Sequence, residues 1–144
     1  MKFDQVENQQ TQTILLYGES GTGKTLKVGR LAKYFNLVWF DLENGMATLV
    51  THLSKEEKQK IEAIRIPDSK SNPVAIQTLV KLFTKSGKHK VCDAHGRINC
   101  PTCKTDITEI DLHSLDSSWI VVIDSLTQLA ASALNYAMRN YEGE

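Results

Sequence analysis

Net charge is the first thing missing: seventeen Lys and Arg residues balance seventeen Asp and Glu across 144 positions. Global charge therefore gives no argument for nucleic-acid or membrane binding, and any such contact has to be local. A run of membrane-spanning length is also missing, and the polar first ten residues lack the apolar stretch of a secretory leader. A cytosolic protein is expected, with no membrane partner. Cysteine is scarce, and its count of three is odd. All three fall between positions 92 and 103, which argues against a disulfide framework and for metal binding or free thiols. Internal repeats are absent. The length suits one domain spanning 1–144, with room for a core, and is short for a nucleotide-driven motor.

What is present begins with Gly18-Glu19-Ser20-Gly21-Thr22-Gly23-Lys24-Thr25, which fits the phosphate-binding loop G-x-x-x-x-G-K-[ST] without a mismatch. The spacing has a chemical reason. Glycine-permitted backbone N–H groups form a concave anion nest, and the helix that follows points its positive end at the same phosphates. Lys24 would reach the β- and γ-phosphates, and Thr25 would place its hydroxyl on Mg²⁺. The apolar run Ile14-Leu15-Leu16-Tyr17 reads as a buried strand entering the loop, and Leu26, Leu31, Ala32 and Phe35 as the helix leaving it. Nucleoside triphosphate binding is the expectation.

Residues 1–12 read as a polar lead-in, 13–17 as the first strand and 24–34 as its helix. Leu37-Val38-Trp39-Phe40 is a second apolar run of strand length. A short helix over 46–53 and a mixed-charge stretch over 55–60, a solvated helix end or loop, follow. Residues 61–66 alternate and then meet Pro67, as a strand would. Asn72-Pro73 opens a helix on which Ile76, Leu79, Val80 and Phe83 recur at helical spacing. Trp119-Ile120-Val121-Val122-Ile123 is a further strand, and Leu126, Leu129, Ala130, Ala133, Leu134, Ala137 and Met138 draw an apolar stripe along a closing helix. Apolar strands alternating with helices predict an α/β fold with a parallel sheet covered on both faces. Residues 86–106, polar and cysteine-bearing, interrupt that rhythm as an insertion.

Ligands of open α/β sheets bind beyond the carboxyl ends of the strands, so the polar residues ending each strand matter most. Asp124 follows four apolar residues, the form of a Walker B strand whose carboxylate holds Mg²⁺, or else caps the next helix. Asp41 and Glu43, two apart, share a side of their strand. Glu43 would orient or deprotonate the water attacking the γ-phosphorus. Alternatively, both carboxylates cap the next short helix, with Asn44 and Gly45 shaping the turn.

The insertion carries Cys92-x₂-His95-x₄-Cys100-x₂-Cys103, two ligand pairs spaced as in the knuckles that wrap a tetrahedral, structural Zn²⁺. Free surface thiols with a chance histidine are the alternative. His89, Asp93 and His113 are reserve ligands. A segment this polar is expected to have no core of its own and to fold on its metal. Lys85, Lys88, Lys90, Arg97 and Lys104 make it locally basic, a candidate nucleic-acid contact or a merely solvated knuckle.

The loop, Trp39-Phe40-Asp41-Leu42-Glu43 and Ile120-Val121-Val122-Ile123-Asp124-Ser125 together resemble the RecA-like branch of P-loop ATPases, including compact phage nucleotide-binding proteins of that class. The resemblance implies a P-loop NTPase fold with a RecA-like sheet, and ATP and Mg²⁺ as cofactors. It implies Glu43 as the catalytic glutamate, and action in single-strand annealing, recombination or repair of DNA. Single-stranded DNA, a recombination partner and further copies of the chain are its implied partners, in the host cytoplasm if phage-encoded. The insertion lies outside the likeness, and such cores continue past the Walker B helix, so a C-terminally shortened core is expected. Two other functions stay open. A small-molecule or nucleotide kinase on the same loop would need a lid, but Arg30, Arg65, Arg97 and Arg139 are scattered. A nucleotide-dependent binding module would bind without turnover.

Overall fold

The computed structural model describes residues 12–141; most of the polar lead-in lies outside them. In chain order the elements are α1 (Lys24–Gly29), tightening into a 3-10 turn at Arg30–Lys33, then β1 (Asn36–Asp41) and a 3-10 helix at Gly45–Leu49. They continue with α2 (Lys55–Gln59), β2 (Ile61–Arg65), α3 (Val74–Thr84), β3 (His89–Cys92), β4 (Ile107–Ile110), a 3-10 turn at Leu112–Ser114, β5 (Trp119–Asp124) and α4 (Leu126–Tyr141). The fold is mixed α/β: a three-stranded parallel sheet in the order β2-β1-β5 with flanking helices, and a separate antiparallel pair β3-β4.

β1 is the middle strand, and its alternation builds two cores. Val38 and Phe40, followed by Leu42, face a cluster with Ile64, Ile66, Leu79 and Leu82, the last two from α3. Leu37 and Trp39 face the opposite way, onto Ala32, Leu49, Leu53 and Val122. Helical elements therefore cover both faces, and the fully buried run 37–40 needs no polar side.

The helices begin where local chemistry satisfies their free N–H groups. Ser54 and Glu57 form a reciprocal capping box at α2, so the charged stretch is a short helix with no buried residue. Pro73 stands just before α3, and Asp68 Oδ1 accepts from the Ala75 N–H at 2.9 Å. Ser132, fully buried on α4, accepts from the Ile76 N–H at 3.2 Å and joins α4 to the start of α3.

Three expectations are corrected. Residues 13–17 form no strand: Ile14 is 82% and Tyr17 87% exposed, and β5 pairs only with β1. An apolar run becomes a strand only when a ladder partner takes up its N–H and C=O groups, and none does here among the described residues. The apolar stripe of α4 is only partly covered, with Leu129 on the core and Leu126, Leu134 and Met138 exposed. The insertion has no separate core, but it does share the main one: Val91 of β3 is buried in the α3-side cluster and Ile98 packs against it.

Candidate functional site

The loop 18–25 turns on two glycines in the left-handed region, Gly21 at φ 77° and Gly23 at φ 78°. Nothing stands within 4 Å of a Cβ built at either, so backbone conformation and not crowding demands glycine there. Thr22 Oγ1 donates to the Glu19 carbonyl at 2.8 Å and braces the loop from within. The Lys24 ammonium reaches back over the loop, donating to the carbonyls of Gly18 at 2.8 Å and Glu19 at 2.7 Å. Ser20 lies on the exposed outer turn.

Parallel register carries the strand ends to the same edge. Asp41 stands beside Asp124, and the Leu42 N–H donates to the Asp124 carbonyl at 2.7 Å. Thr25 Oγ1 donates to Asp124 Oδ2 at 3.0 Å and ties the loop to the end of β5. Desolvation raises the Asp124 carboxyl above its ordinary range; the Thr25 hydrogen bond opposes this, while the charges of Glu43 and Asp41 add to it. Thr25 and Asp124 offer two oxygens side by side, a donor set suited to a hard divalent cation.

Asp41 and Glu43 part company. Asp41, buried, accepts from the Gly45 N–H at 3.0 Å and the Met46 N–H at 3.4 Å, and so caps the following 3-10 helix. Asn44, at φ 59°, makes the turn that permits it. Glu43 is exposed, and its Oε1 accepts the Ser125 hydroxyl. Ser125 stands with Asp124 at the strand end, where the sequence motif places it, and its contact with Glu43 is what the sequence does not indicate. The edge thus gathers Lys24, Thr25, Glu43, Asp124 and Ser125.

A second cluster stands in the insertion. The ligand atoms of Cys92, His95, Cys100 and Cys103 all lie within 4.8 Å of one another and could hold a metal ion. His95 Nδ1 is 3.2 Å from Cys103 Sγ and 3.6 Å from Cys100 Sγ. A tetrahedral shell with metal–sulfur bonds of about 2.3 Å spaces its sulfurs about 3.8 Å apart, so little movement would close it. The first turn is built by backbone bonds from the Gly96 N–H to the Cys92 carbonyl at 2.8 Å and from the Asn99 N–H to the Lys90 carbonyl at 2.8 Å. Hydrogen bonds from Thr102 pull the Cys100 thiol down to about 5, while desolvation and the neighbouring sulfurs push Cys103 up to about 11. The surroundings thus push these two thiols in opposite directions. His89, Asp93 and His113 are not in this cluster: His89 contacts the Lys85 carbonyl, Asp93 accepts from Thr108, and His113 belongs to the turn capped by Asp111.

The insertion is locked to the fold at Gly96. Thr78 Oγ1 of α3 donates to the Gly96 carbonyl at 2.6 Å in a buried bond, and a Cβ on Gly96 would stand 2.8 Å from Ile66 Cα. Of its basic residues, Lys88 pairs with Glu109 at 3.0 Å and Arg97 donates to Asn72 Oδ1 at 2.8 Å. No helix among the described residues is long and apolar enough to cross a membrane. The chain matches no family model, no curated protein and no solved structure.

Proposed function

We propose that the chain is a RecA-like P-loop core that binds ATP with Mg²⁺ and hydrolyses it in a DNA transaction, recombination, annealing or repair, with a structural zinc in its insertion. The observation that carries this reading is the Thr25–Asp124 bond of 3.0 Å, which joins the phosphate-loop motif to the carboxylate ending a parallel strand. Loop N–H groups at Gly21 and Gly23 bind phosphate oxygens, and Lys24 exchanges the Gly18 and Glu19 carbonyls for the β- and γ-phosphates. Thr25 and Asp124 hold Mg²⁺, which when bound neutralises charge on the phosphate oxygens. Glu43, oriented by Ser125, holds the attacking water and accepts its proton. Cys92, His95, Cys100 and Cys103 bind Zn²⁺ in a closed four-ligand shell whose role is to hold the insertion.

The test is steady-state ATP hydrolysis with Mg²⁺, with and without single-stranded DNA, on a sample of measured zinc content. Turnover stimulated by DNA and abolished in Lys24→Ala supports the reading. Turnover of wild-type rate in Lys24→Ala would refute it. The engagement of Glu43 by Ser125 favours one second reading, a nucleotide-dependent binding module. ATP binding without turnover, with or without DNA, would select it.

A further inference from the structure

The chain is neutral as a whole, but its charges are segregated. From Ser69 to Cys92 there are five lysines and no carboxylate, and from Ser125 to Tyr141 there is Arg139 and again no carboxylate. These stretches contain α3 and α4, which pack together through Ser132 and the Ile76 backbone. Two hollows of about 230 and 340 Å³ open there and adjoin at Gln77, which lines both. Tyr136, Arg139 and Asn140 of α4 line one, and Lys81 of α3 with Arg97 of the insertion line the other. Taken as one groove meeting at Gln77, their lining carries three cations and, among the described residues, no carboxylate.

Among the described residues, none of those cations forms an ion pair. Lys88–Glu109 is the single ion pair among the described residues. Arg139 Nη1 donates to the Ser71 carbonyl at 2.7 Å and Arg97 Nη2 to Asn72 Oδ1 at 2.8 Å. Each guanidinium thus spends one hydrogen bond on consecutive residues of one loop, which fixes its position and leaves donors for a phosphate. In the hollow with Arg139, Tyr136 is 41% exposed, and the side chains of Gln77 and Asn140 complete the lining. Cations spaced along a groove with an exposed aromatic ring suit a strand whose bases are unpaired and free to stack.

We infer that the groove between α3, α4 and the insertion, lined by Gln77, Lys81, Arg97, Tyr136, Arg139 and Asn140, binds single-stranded DNA. The choice of DNA rests on the proposed function, whereas the location of the surface rests on the charge and shape of the groove. The insertion then supplies one wall of the binding surface through Arg97.

The test uses the full zinc-loaded chain and a fluorescein-labelled oligothymidylate, with anisotropy followed as salt is raised and ATP binding measured in parallel. Lys81→Ala and Arg139→Gln should each weaken DNA binding and lower the slope of log affinity against log salt by about 0.7, the single-strand value for one phosphate contact. Tyr136→Ala should weaken binding and leave that slope unchanged. Lys33→Ala, on the other face of the sheet, should bind DNA as wild type does, and ATP binding should persist in all four. DNA binding by wild type that is undiminished in the double variant Lys81→Ala, Arg139→Gln would overturn the groove and leave the proposed function standing. Wild type that binds ATP but no oligothymidylate, with or without nucleotide, would overturn both the groove and the DNA part of that function. Tighter binding of duplex DNA or RNA than of the oligothymidylate would overturn the single-stranded DNA assignment.

Discussion

Thr25 and Asp124 stand 99 positions apart in the chain, yet the Thr25 hydroxyl donates to the Asp124 carboxylate across 3.0 Å. Hydrogen bonds to charged groups contribute about 1.5–3 kcal/mol, or roughly tenfold to a hundredfold in affinity when they also order a ligand. Thr25→Val and Asp124→Asn are therefore each expected to weaken Mg²⁺-ATP binding about tenfold or more, and ATP binding without Mg²⁺ far less. Calorimetric titration with and without the metal measures the difference; equal losses in both would remove Asp124 from the cation site.

Glu43 meets Ser125, and neither side chain caps the helix that follows β1. Glu43→Gln should keep ATP affinity and lose turnover by about 10²–10⁴-fold, the usual contribution of a positioned general base. Ser125→Ala should lose less, because it removes only the group that orients Glu43. Single-turnover kinetics separates these effects from product release, and a fully active Glu43→Gln would leave Glu43 without a role in the chemistry.

Gly96 takes a left-handed conformation, φ 61°, and lies against the Ile66 backbone. A methyl group there is strained by both, so Gly96→Ala should destabilise the fold by about 1–3 kcal/mol. Thr78→Val, which orphans the buried Gly96 carbonyl, should cost about 1–3 kcal/mol. Urea denaturation reads both, and stabilities equal to wild type would mean that the insertion is not anchored through Gly96.

Chelation, or Cys100→Ser or Cys103→Ser, should reduce zinc from about one per chain to none and loosen the insertion. Because the Cys103 thiol is pushed up to about 11, a metal bound at neutral pH must displace its proton. Affinity should accordingly fall as pH falls. Zinc content after dialysis at stepwise lower pH checks the sign.

Glu62, half-buried on β2, has its carboxyl raised by desolvation. Its folded pKa therefore lies above the unfolded one, so its protonated form is favoured by folding. Its contribution is neutral to favourable below the ordinary carboxylate value and unfavourable once pH has risen through the raised one. Glu62→Gln should raise Tm at pH 7 and leave it nearly unchanged at pH 4, as thermal melts at the two pH values would report.

Strands whose side chains meet core on both sides were legible from composition alone, as β1 demonstrates with Leu37, Val38, Trp39 and Phe40 all buried. The same logic fails at Ile14-Leu15-Leu16-Tyr17, because hydrophobicity reports a wish for burial and says nothing about which strand edge is free to receive it. The cluster of Cys92, His95, Cys100 and Cys103 was legible because its spacing is chemical, whereas the β3-β4 pair that carries Cys92 was not: four-residue strands hold too few alternations to stand out. Glu43 was set apart from Asp41 only by its place beyond the strand end, and that Asp41 caps was not legible, since two carboxylates two apart present the same pattern whether they cap or face a ligand. Only the turn at Asn44 and the arrival of Ser125 from the far end of the chain divide them.

The register that seats Asn36 opposite Trp119 also governs the order in which the chain assembles. β1 meets β2 after a short crossover, but its other edge stays open until α3 and the whole insertion have been passed. Such distant pairing closes a long loop before it gains any contact, so joining β5 is expected to be the slow event, after β1-β2 and its helices. During synthesis, the apolar run 37–40 waits with one bare edge, and this interval is when the chain is most exposed to pairing with another copy of itself.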